Sequence, residues 1–195
     1  MTRRTAVAVA LLALVAAAVV TIGLLRLTRF FEGPDSDAAP TAEAPASSDA
    51  PAPTEGRITA QIFYASADGE HLVAVEREVP LGATPLEQAR RIVEAQLAPA
   101  PAPQLSVIPP ATTLRACFLT DNGRAIVDLG PEVRTAHPGG TTNELLTVYA
   151  IVNALGVNLP AVTGVQLLVD GEPVESVAGH VDVRRVLRKR LDLVQ

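Results

Sequence analysis

The run of twenty residues without a charge near the amino terminus, Ala6–Leu25, constrains this chain more than any other feature. As an α-helix, such a run is about 30 Å long, which matches the hydrocarbon core of a bilayer. Arg3 and Arg4 precede the run, and Arg26 and Arg29 follow it. The pattern predicts one membrane-spanning helix.

A cleavable signal peptide is the alternative for residues 1–31, since Ala16-Ala17-Ala18 supplies small residues of the kind found at cleavage sites. The run stays apolar beyond Ala18 and exceeds the usual cleavable core of roughly 7–15 residues, which favours an uncleaved anchor. Arginines at both ends leave the orientation undecided. The acidic segment that follows favours a single pass through the cytoplasmic membrane, with the amino terminus inside and the folded domain on the extracytoplasmic side.

Residues 32–56 have the composition of a linker. They contain six acidic residues, five prolines and no basic residue. Because they carry no large apolar side chain, they cannot bury enough surface to become ordered, and we expect a disordered spacer. Residues 57–195 carry twelve basic and fifteen acidic residues, so they show no basic footprint for nucleic acid.

Strands and turns follow the linker. Alternating or continuous apolar runs predict five strands: Ile58–Ala65, Leu72–Val79, Leu114–Thr120, Arg124–Leu129 and Val165–Val169. Asn122-Gly123 is the strongest short signal for a hairpin, and it joins the third strand to the fourth. The fifth run is apolar at nearly every position, which predicts a central strand.

Two helices are predicted from capping boxes, in which a Thr precedes a Glu by three residues. Thr84-Pro85-Leu86-Glu87 starts the first helix, which ends at the proline-rich run after Ala98. Thr141-Thr142-Asn143-Glu144 repeats the spacing for the second. Over residues 57–182 the order of elements predicts an α+β domain. We expect a single mixed or antiparallel β-sheet with two helices packed on one face.

Few residues offer catalytic chemistry. Cys117 is the only cysteine and has apolar neighbours, which is typical of an inert core thiol. His71, His137 and His180 have no nucleophile turn or zinc-ligand spacing beside them, so each is interpreted as a turn or surface residue. The Pro138-Gly139-Gly140-Thr141 loop could hold an anion at a helix start. Glycine at positive φ is the interpretation that we favour there.

Charged residues supply the candidate interaction sites. Glu76 and Glu78 alternate with apolar residues on one strand, so they share a solvated face. Residues 183–195 carry a basic cluster that interleaves with apolar residues at helical spacing: Arg184, Arg185, Arg188, Lys189 and Arg190. Three interpretations stay open for it: a terminal helix docked on the domain, a contact with an anionic partner or lipid, and a frayed tail.

Seven segments in order resemble the GerMN domain, a family named for spore germination and sporulation proteins. They are Ile62-Phe63-Tyr64 with Asp68-Gly69 and Leu72-Val73, then Val79–Glu87, Ile108–Leu114, Ala125–Leu129, Pro138–Thr141, Val169–Val174 and Gly179–Asp182. Some relatives carry two copies of the domain, and one is found here. The chain departs from the family after Asp182, where a proline is usual and Arg184-Arg185-Val186 stands instead.

The resemblance implies a compact α+β module on the outer side of the cytoplasmic membrane, similar to the ring-building modules of envelope channels. It implies contact with cell-envelope proteins or with other copies of the chain, and no catalysis, cofactor or small-molecule substrate. A module that binds envelope glycans or anionic polymers through the basic cluster is the alternative, and an envelope hydrolase comes third. The low aromatic content, 3%, argues against sugar binding.

Overall fold

A computed structural model describes residues 56–195. The elements in chain order are β1 (Arg57–Ala65), β2 (Leu72–Pro80), α1 (Pro85–Leu97), β3 (Leu114–Leu119), β4 (Arg124–Leu129), α2 (Glu132–Thr135), α3 (Thr141–Asn158), β5 (Gly164–Val169), β6 (Glu172–Pro173) and a 3₁₀ turn (Leu191–Leu193). None of the helices in this range is long and apolar enough to cross a bilayer. The predicted anchor and linker lie outside the described residues, apart from Gly56.

The predicted order of five strands and two long helices is confirmed, but the prediction of a single sheet is wrong. β1 and β2 form an antiparallel hairpin, and β3, β4, β5 and β6 form a separate four-stranded sheet. This second sheet is mixed, because β4 and β5 are parallel while the other neighbours are antiparallel. α3 lies in the crossover between the parallel strands, since strands of that orientation cannot be joined by a tight turn.

Side chains from both long helices bind the backbone of β1 along the edge that faces away from β2, where a further strand would pair. Asn158 Nδ2 donates to the Gln61 carbonyl at 2.7 Å, and the Gln61 N–H donates to Asn158 Oδ1 at 2.8 Å. Gln96 makes the same two bonds to Phe63, at 2.6 and 2.9 Å. Each amide therefore substitutes for one residue of a neighbouring strand, which separates the hairpin from the second sheet.

The long helices do more than cover one face of a sheet. α1 buries one apolar stripe, including Ala89, Ile92 and Val93. α3 is buried over most of its length, because it contacts α1, β1 and β5. The inward side chains of β4 and β5 complete the core: Ala125, Val127, Leu129, Val165, Leu167 and Val169. α3 is therefore the central element of the core, where the sequence predicts only a covering helix.

Thr84 caps α1 as predicted, while Glu87 reaches back one residue beyond the cap, to Ala83. Thr84 Oγ1 accepts the Glu87 N–H at 3.1 Å, and Glu87 Oε2 accepts the Ala83 N–H at 2.8 Å. Pro85 is the first helical residue, where a missing N–H has no intrahelical partner to lose. The side chains of Thr84 and Glu87 thus satisfy two backbone donors at the start of the helix.

Thr84→Ala is expected to lower the free energy of unfolding by about 1 kcal/mol, because it removes the N-cap hydrogen bond. Urea denaturation followed by circular dichroism measures the change. His71→Ala is the control, since it removes a side chain from the β1–β2 turn and we expect a smaller effect. Equal urea midpoints for Thr84→Ala and the parent chain would contradict the cap.

The second predicted capping box does not form. α3 begins at Thr141 as expected, but its cap is Gly140, with φ of 86° and no side-chain hydrogen bond. Glu144 does not reach back to the cap, because its carboxylate binds backbone N–H groups of residues 177–180. Gly139 also has a positive φ, 81°, which agrees with a conformational role for the loop glycines.

Candidate functional site

Glu76 and Glu78 lie on the outer face of the β1–β2 hairpin, where both are exposed, as the alternation predicts. Thr59 Oγ1 donates to Glu78 Oε1 at 2.9 Å, and Arg57 Nε lies 3.9 Å from Glu78 Oε2. The Glu76 carboxylate has no hydrogen-bond or ion-pair partner within residues 56–195. The hairpin therefore presents one unpaired and one partly neutralised carboxylate to solvent.

The carboxy-terminal segment is not the amphipathic helix that its spacing predicts. Residues 183–195, named the strap here, are extended apart from one 3₁₀ turn. Leu187 exchanges two backbone hydrogen bonds of 2.8 Å with Val165 of β5. Further on, the Gln195 N–H donates to the Leu72 carbonyl of β2 at 3.0 Å. The strap is docked, but it is an extended connection between the two sheets.

Asn153 on α3 holds the middle of the strap. It is fully buried, its Nδ2 donates to the Arg190 carbonyl at 3.0 Å, and its Oδ1 accepts the Arg190 N–H at 2.8 Å. The Arg190 guanidinium lies 5.4 Å from the centre of the Tyr149 ring. Because Asn153 and β5 satisfy the backbone of the strap, an internal helix is not needed there.

Two cations of the basic cluster are engaged in ion pairs. Arg184 lies 3.0 Å from Asp182 and 3.4 Å from Glu175, and Arg190 pairs with Asp192. Hydrogen bonds from Arg184 lower the pKa of Asp182 to about 2. The net charge that these two arginines offer a partner is therefore largely cancelled.

The other three cations lie at a small cleft and on the surface beside it. Lys189 Nζ donates to the Gly156 carbonyl at 3.2 Å, near the end of α3. Lys189 and Arg188 line a cleft of about 370 Å³ between α3, β5 and the strap. Arg185 and Arg188 are exposed and have no ion-pair or hydrogen-bond partner in the described part of the chain. They are the two cations that remain available to an anion.

Glu144, which the sequence predicts to be part of a helix cap, is a buried carboxylate in the structure. Its side chain is fully buried, and it accepts the N–H groups of Val177, Ala178 and His180 at 2.7, 2.8 and 2.6 Å. Burial acts to raise the pKa of Glu144, but hydrogen bonds from the backbone outweigh it and hold the pKa below its ordinary value. An ionised Glu144 therefore fixes the segment after β6 against α3.

The two histidines of interest lie near Glu144. His180 Nδ1 is 3.3 Å from Glu144 Oε2, and His137 Nε2 is 3.0 Å from Thr147 Oγ1. Burial lowers the pKa of His137, and the charge of nearby His180 also lowers it, against an opposing effect of Glu144. The structure thus brings together Glu144, His137, His180 and Thr147, which are named the His–Glu cluster.

The hydrogen bonds of His137 do not suit it as a base toward Thr147. The Gly139 N–H donates to His137 Nδ1 at 2.9 Å, so in the neutral ring the proton is on Nε2 and points to Thr147 Oγ1. The Thr147 hydroxyl in turn donates to the Val107 carbonyl, and its side chain is buried. A base would need an unprotonated Nε2 facing this hydroxyl. The arrangement therefore holds backbone segments together.

The remaining candidate residues are separate from the cluster. Cys117 is buried in β3, and burial raises the pKa of its thiol to about 11, so it stays protonated at neutral pH. His71 lies in the β1–β2 turn, with Nδ1 3.8 Å from Asp68. Across the described residues, no group of three or more His, Cys, Asp or Glu side chains is placed to hold a metal ion.

Comparison of the sequence with models of protein families identifies the family of this chain. The family model described as "Germane: Sporulation and spore germination" matches residues 61–175 of the chain. This chain belongs to the Germane family. The resemblance to the GerMN domain is thereby confirmed, and a comparison with curated proteins finds no match.

Solved structures share the Germane fold. The first GerMN domain of the sporulation protein GerM from Bacillus subtilis is 18% identical, with a TM-score of 0.54, over 69% of this chain and 99% of that one. The tandem GerMN domains of the same protein are 15% identical, with a TM-score of 0.54, over 70% of this chain and 48% of that one. A Clostridium perfringens protein, described as a candidate lipoprotein, is 19% identical, with a TM-score of 0.50, over 69% and 89%. At sequence identities of 15–19%, the similarity to these solved structures shows a shared fold.

Sequence reasoning misses the buried polar residues that hold this Germane domain together. Gln96, Glu144 and Asn153 are all buried, and each binds the backbone of a segment distant in sequence. The available signal is a polar residue inside an apolar helical stretch. Asn153 is such a residue, because it lies between Val152 and Ala154 on the most buried part of α3. A buried amide in that position predicts a backbone partner.

Proposed function

We propose that this chain is a non-catalytic protein–protein interaction module in a cell-envelope assembly of the sporulation or germination type. The exposed outer face of the β1–β2 hairpin carries this proposal, because Glu76 and Glu78 project there without a structural role for Glu76. In the His–Glu cluster, by contrast, the Glu144 carboxylate and the Thr147 hydroxyl are buried and bind backbone groups of the domain. A surface that offers unpaired polar groups suits contact with a partner better than chemistry on a substrate.

The proposal places the domain on the extracytoplasmic side of the cytoplasmic membrane, with a single membrane pass. The uncharged run Ala6–Leu25 and the acidic segment after it support this placement. The description of the Clostridium perfringens relative as a candidate lipoprotein agrees with a place at the cell envelope. The linker would let the domain reach partners at a distance from the bilayer.

Binding of an anionic polymer is the second candidate, and one observation favours it. Arg185 and Arg188 are exposed without partners in residues 56–195, and Arg188 lines the cleft beside the strap. Two available cations make a weak electrostatic surface in a domain whose net charge is negative. The interaction module therefore remains the first proposal.

Complementation in cells that normally make this protein tests the proposal. We expect Glu76→Arg with Glu78→Arg to abolish the function of the chain, because the double change reverses the charge of the proposed contact face. His137→Asn with His180→Asn removes both imidazoles and is expected to leave function largely intact. Immunoblots at matched abundance and thermal midpoints of the purified variants separate loss of function from loss of folding.

The opposite pattern would contradict the interaction module. If the histidine variant folds but fails in cells while the arginine variant works, an enzymatic role gains support. Arg185→Glu with Arg188→Glu is the matched charge reversal on the strap. Loss of function in that variant alone would favour the anionic polymer instead.

A further inference from the structure

The hydrogen bonds of the hairpin leave one edge of β2 open. Phe63 and Gln61 of β1 direct their N–H and C=O groups toward side chains of the long helices, away from β2. In an antiparallel pair of strands, two residues directly opposite each other either both direct their N–H and C=O groups toward each other or both direct them away. Ala74, opposite Phe63, and Glu76, opposite Gln61, therefore direct their own N–H and C=O groups away from β1. Within residues 56–195 no hydrogen bond satisfies these four groups.

The two ends of this open stretch are already occupied. At one end, the Leu72 carbonyl accepts the Gln195 N–H, and Val194 lies parallel to Leu72 in an isolated bridge. At the other end, the Glu78 carbonyl accepts an Arg57 guanidinium N–H at 3.1 Å. The contact with Val194 and Gln195 shows that the backbone of this edge already bonds another extended segment at one residue. The free part is centred on Ala74 and Glu76.

The side chains beside the open edge differ between its two faces. On the outer face are the exposed residues Ala74, Glu76 and Glu78, and on the other face are the half-buried Val73 and Val75. A strand added next to β2 continues both faces, with alternate side chains on each. Basic side chains on the outer face would meet the glutamates, and apolar side chains on the other would cover the valines.

From this geometry we infer that an extended segment of a partner protein, with alternating basic and apolar residues, adds as a third strand to the open edge of β2. The inference rests on the proposed function, since it specifies how the same hairpin contacts its partner. Backbone hydrogen bonds to Ala74 and Glu76 supply the affinity, and the glutamates select the basic residues of the segment.

A second copy of the chain fits this edge less well than a basic partner. Antiparallel pairing of two β2 strands would bring Glu76 and Glu78 of one copy beside the glutamates of the other, and like charges in cross-strand positions are destabilising. Glutamates on an exposed edge also protect it against such pairing. The charge of the edge therefore favours a segment of opposite charge.

The test measures binding of a short, blocked peptide of alternating lysine and valine to the full chain in detergent, by fluorescence anisotropy. Ala74→Pro removes an outward N–H and leaves the ladder with β1 intact, so we expect about tenfold weaker binding, as for loss of one backbone hydrogen bond. Ala74→Ser retains the N–H and is the matched control. The peptide is also expected to slow hydrogen exchange at the Ala74 and Glu76 amides at least tenfold.

A second probe keeps the test valid if Ala74→Pro fails to fold. The same peptide with N-methyl groups on its lysine amides retains its charge, but in the register that places lysines beside the glutamates it cannot donate to the edge, and we expect its binding to fall at least tenfold. A peptide of alternating glutamate and valine should not bind. Equal binding of the methylated and unmethylated lysine peptides would overturn strand addition, as would slowed exchange in a self-associated chain without peptide.

The two proposals fail in different ways. If Glu76→Arg with Glu78→Arg abolishes function in cells but Ala74→Pro, folded and at matched abundance, does not, the hairpin is an interaction face and strand addition is wrong. If neither variant affects function, both proposals are wrong. Loss of function in both variants, with Ala74→Ser intact, supports strand addition.

Discussion

Glu144→Gln is expected to lower the free energy of unfolding by about 3–5 kcal/mol, the range for breaking a buried, charged hydrogen-bond group. The carboxylate accepts three N–H groups with two oxygens. Glutamine keeps the size of the side chain but has one acceptor oxygen, so its NH₂ group must face a backbone donor. Urea denaturation of the parent and the variant at neutral pH measures the loss.

The fall in the free energy of unfolding at acid pH gives an independent check of the role of Glu144. Because the pKa of Glu144 is lower in the folded than in the unfolded chain, its contribution is present above the ordinary pKa of a glutamate. That contribution is lost as the pH falls through the folded pKa, and Glu144→Gln should lack this part of the acid destabilisation. Glu172→Gln is the control, since Glu172 is exposed on β6. A loss below about 1 kcal/mol for Glu144→Gln would contradict the buried carboxylate.

Asn153→Leu is expected to release the strap and to lower the free energy of unfolding by about 2–6 kcal/mol. Leucine fills a similar volume, but the N–H and C=O of Arg190 then lose their buried partners, at about 1–3 kcal/mol each. Limited trypsin digestion reads out the release locally, because the strap contains cleavable bonds after Arg188, Lys189 and Arg190. We expect cleavage there to accelerate at least tenfold.

Asn143→Leu is the matched control for the strap, because Asn143 is exposed at the start of the same helix and bonds only to the Gly139 carbonyl. It should change neither the rate of cleavage in the strap nor the urea midpoint by much. Unchanged cleavage in Asn153→Leu would show that β5 and β2 hold the strap without Asn153.

Local patterns in the sequence predict the elements of this fold but not their pairing. The alternation in β1 and β2, the Asn122-Gly123 turn and the Thr84 cap depend on residues close in the chain, and the structure contains all of them. The free edge of β1 is bound by Gln96 and Asn158, which reach it from helices distant in sequence. No local pattern contains those contacts.

Among the candidate sites, too, local patterns predict some features, while others depend on contacts between distant parts of the chain. Alternation alone predicts that Glu76 and Glu78 are exposed on one face. The helical spacing of the strap predicts the wrong element, because Val183 and Leu187 contact the core from an extended chain that Asn153 and β5 hold. The capping box at Glu144 does not form, because the fold brings three backbone N–H groups from residues 177–180 to its carboxylate.

Site-specific photo-crosslinking in cells tests directly whether the β1–β2 hairpin contacts an envelope protein. A benzophenone side chain at Ala74 lies on the open edge of β2, and one at Glu172 is the exposed control on β6. We expect a discrete adduct with an envelope protein from position 74, identified by mass spectrometry, which disappears with Glu76→Arg and Glu78→Arg and is absent from position 172. No adduct at position 74, or the same adducts from both positions, would contradict this contact.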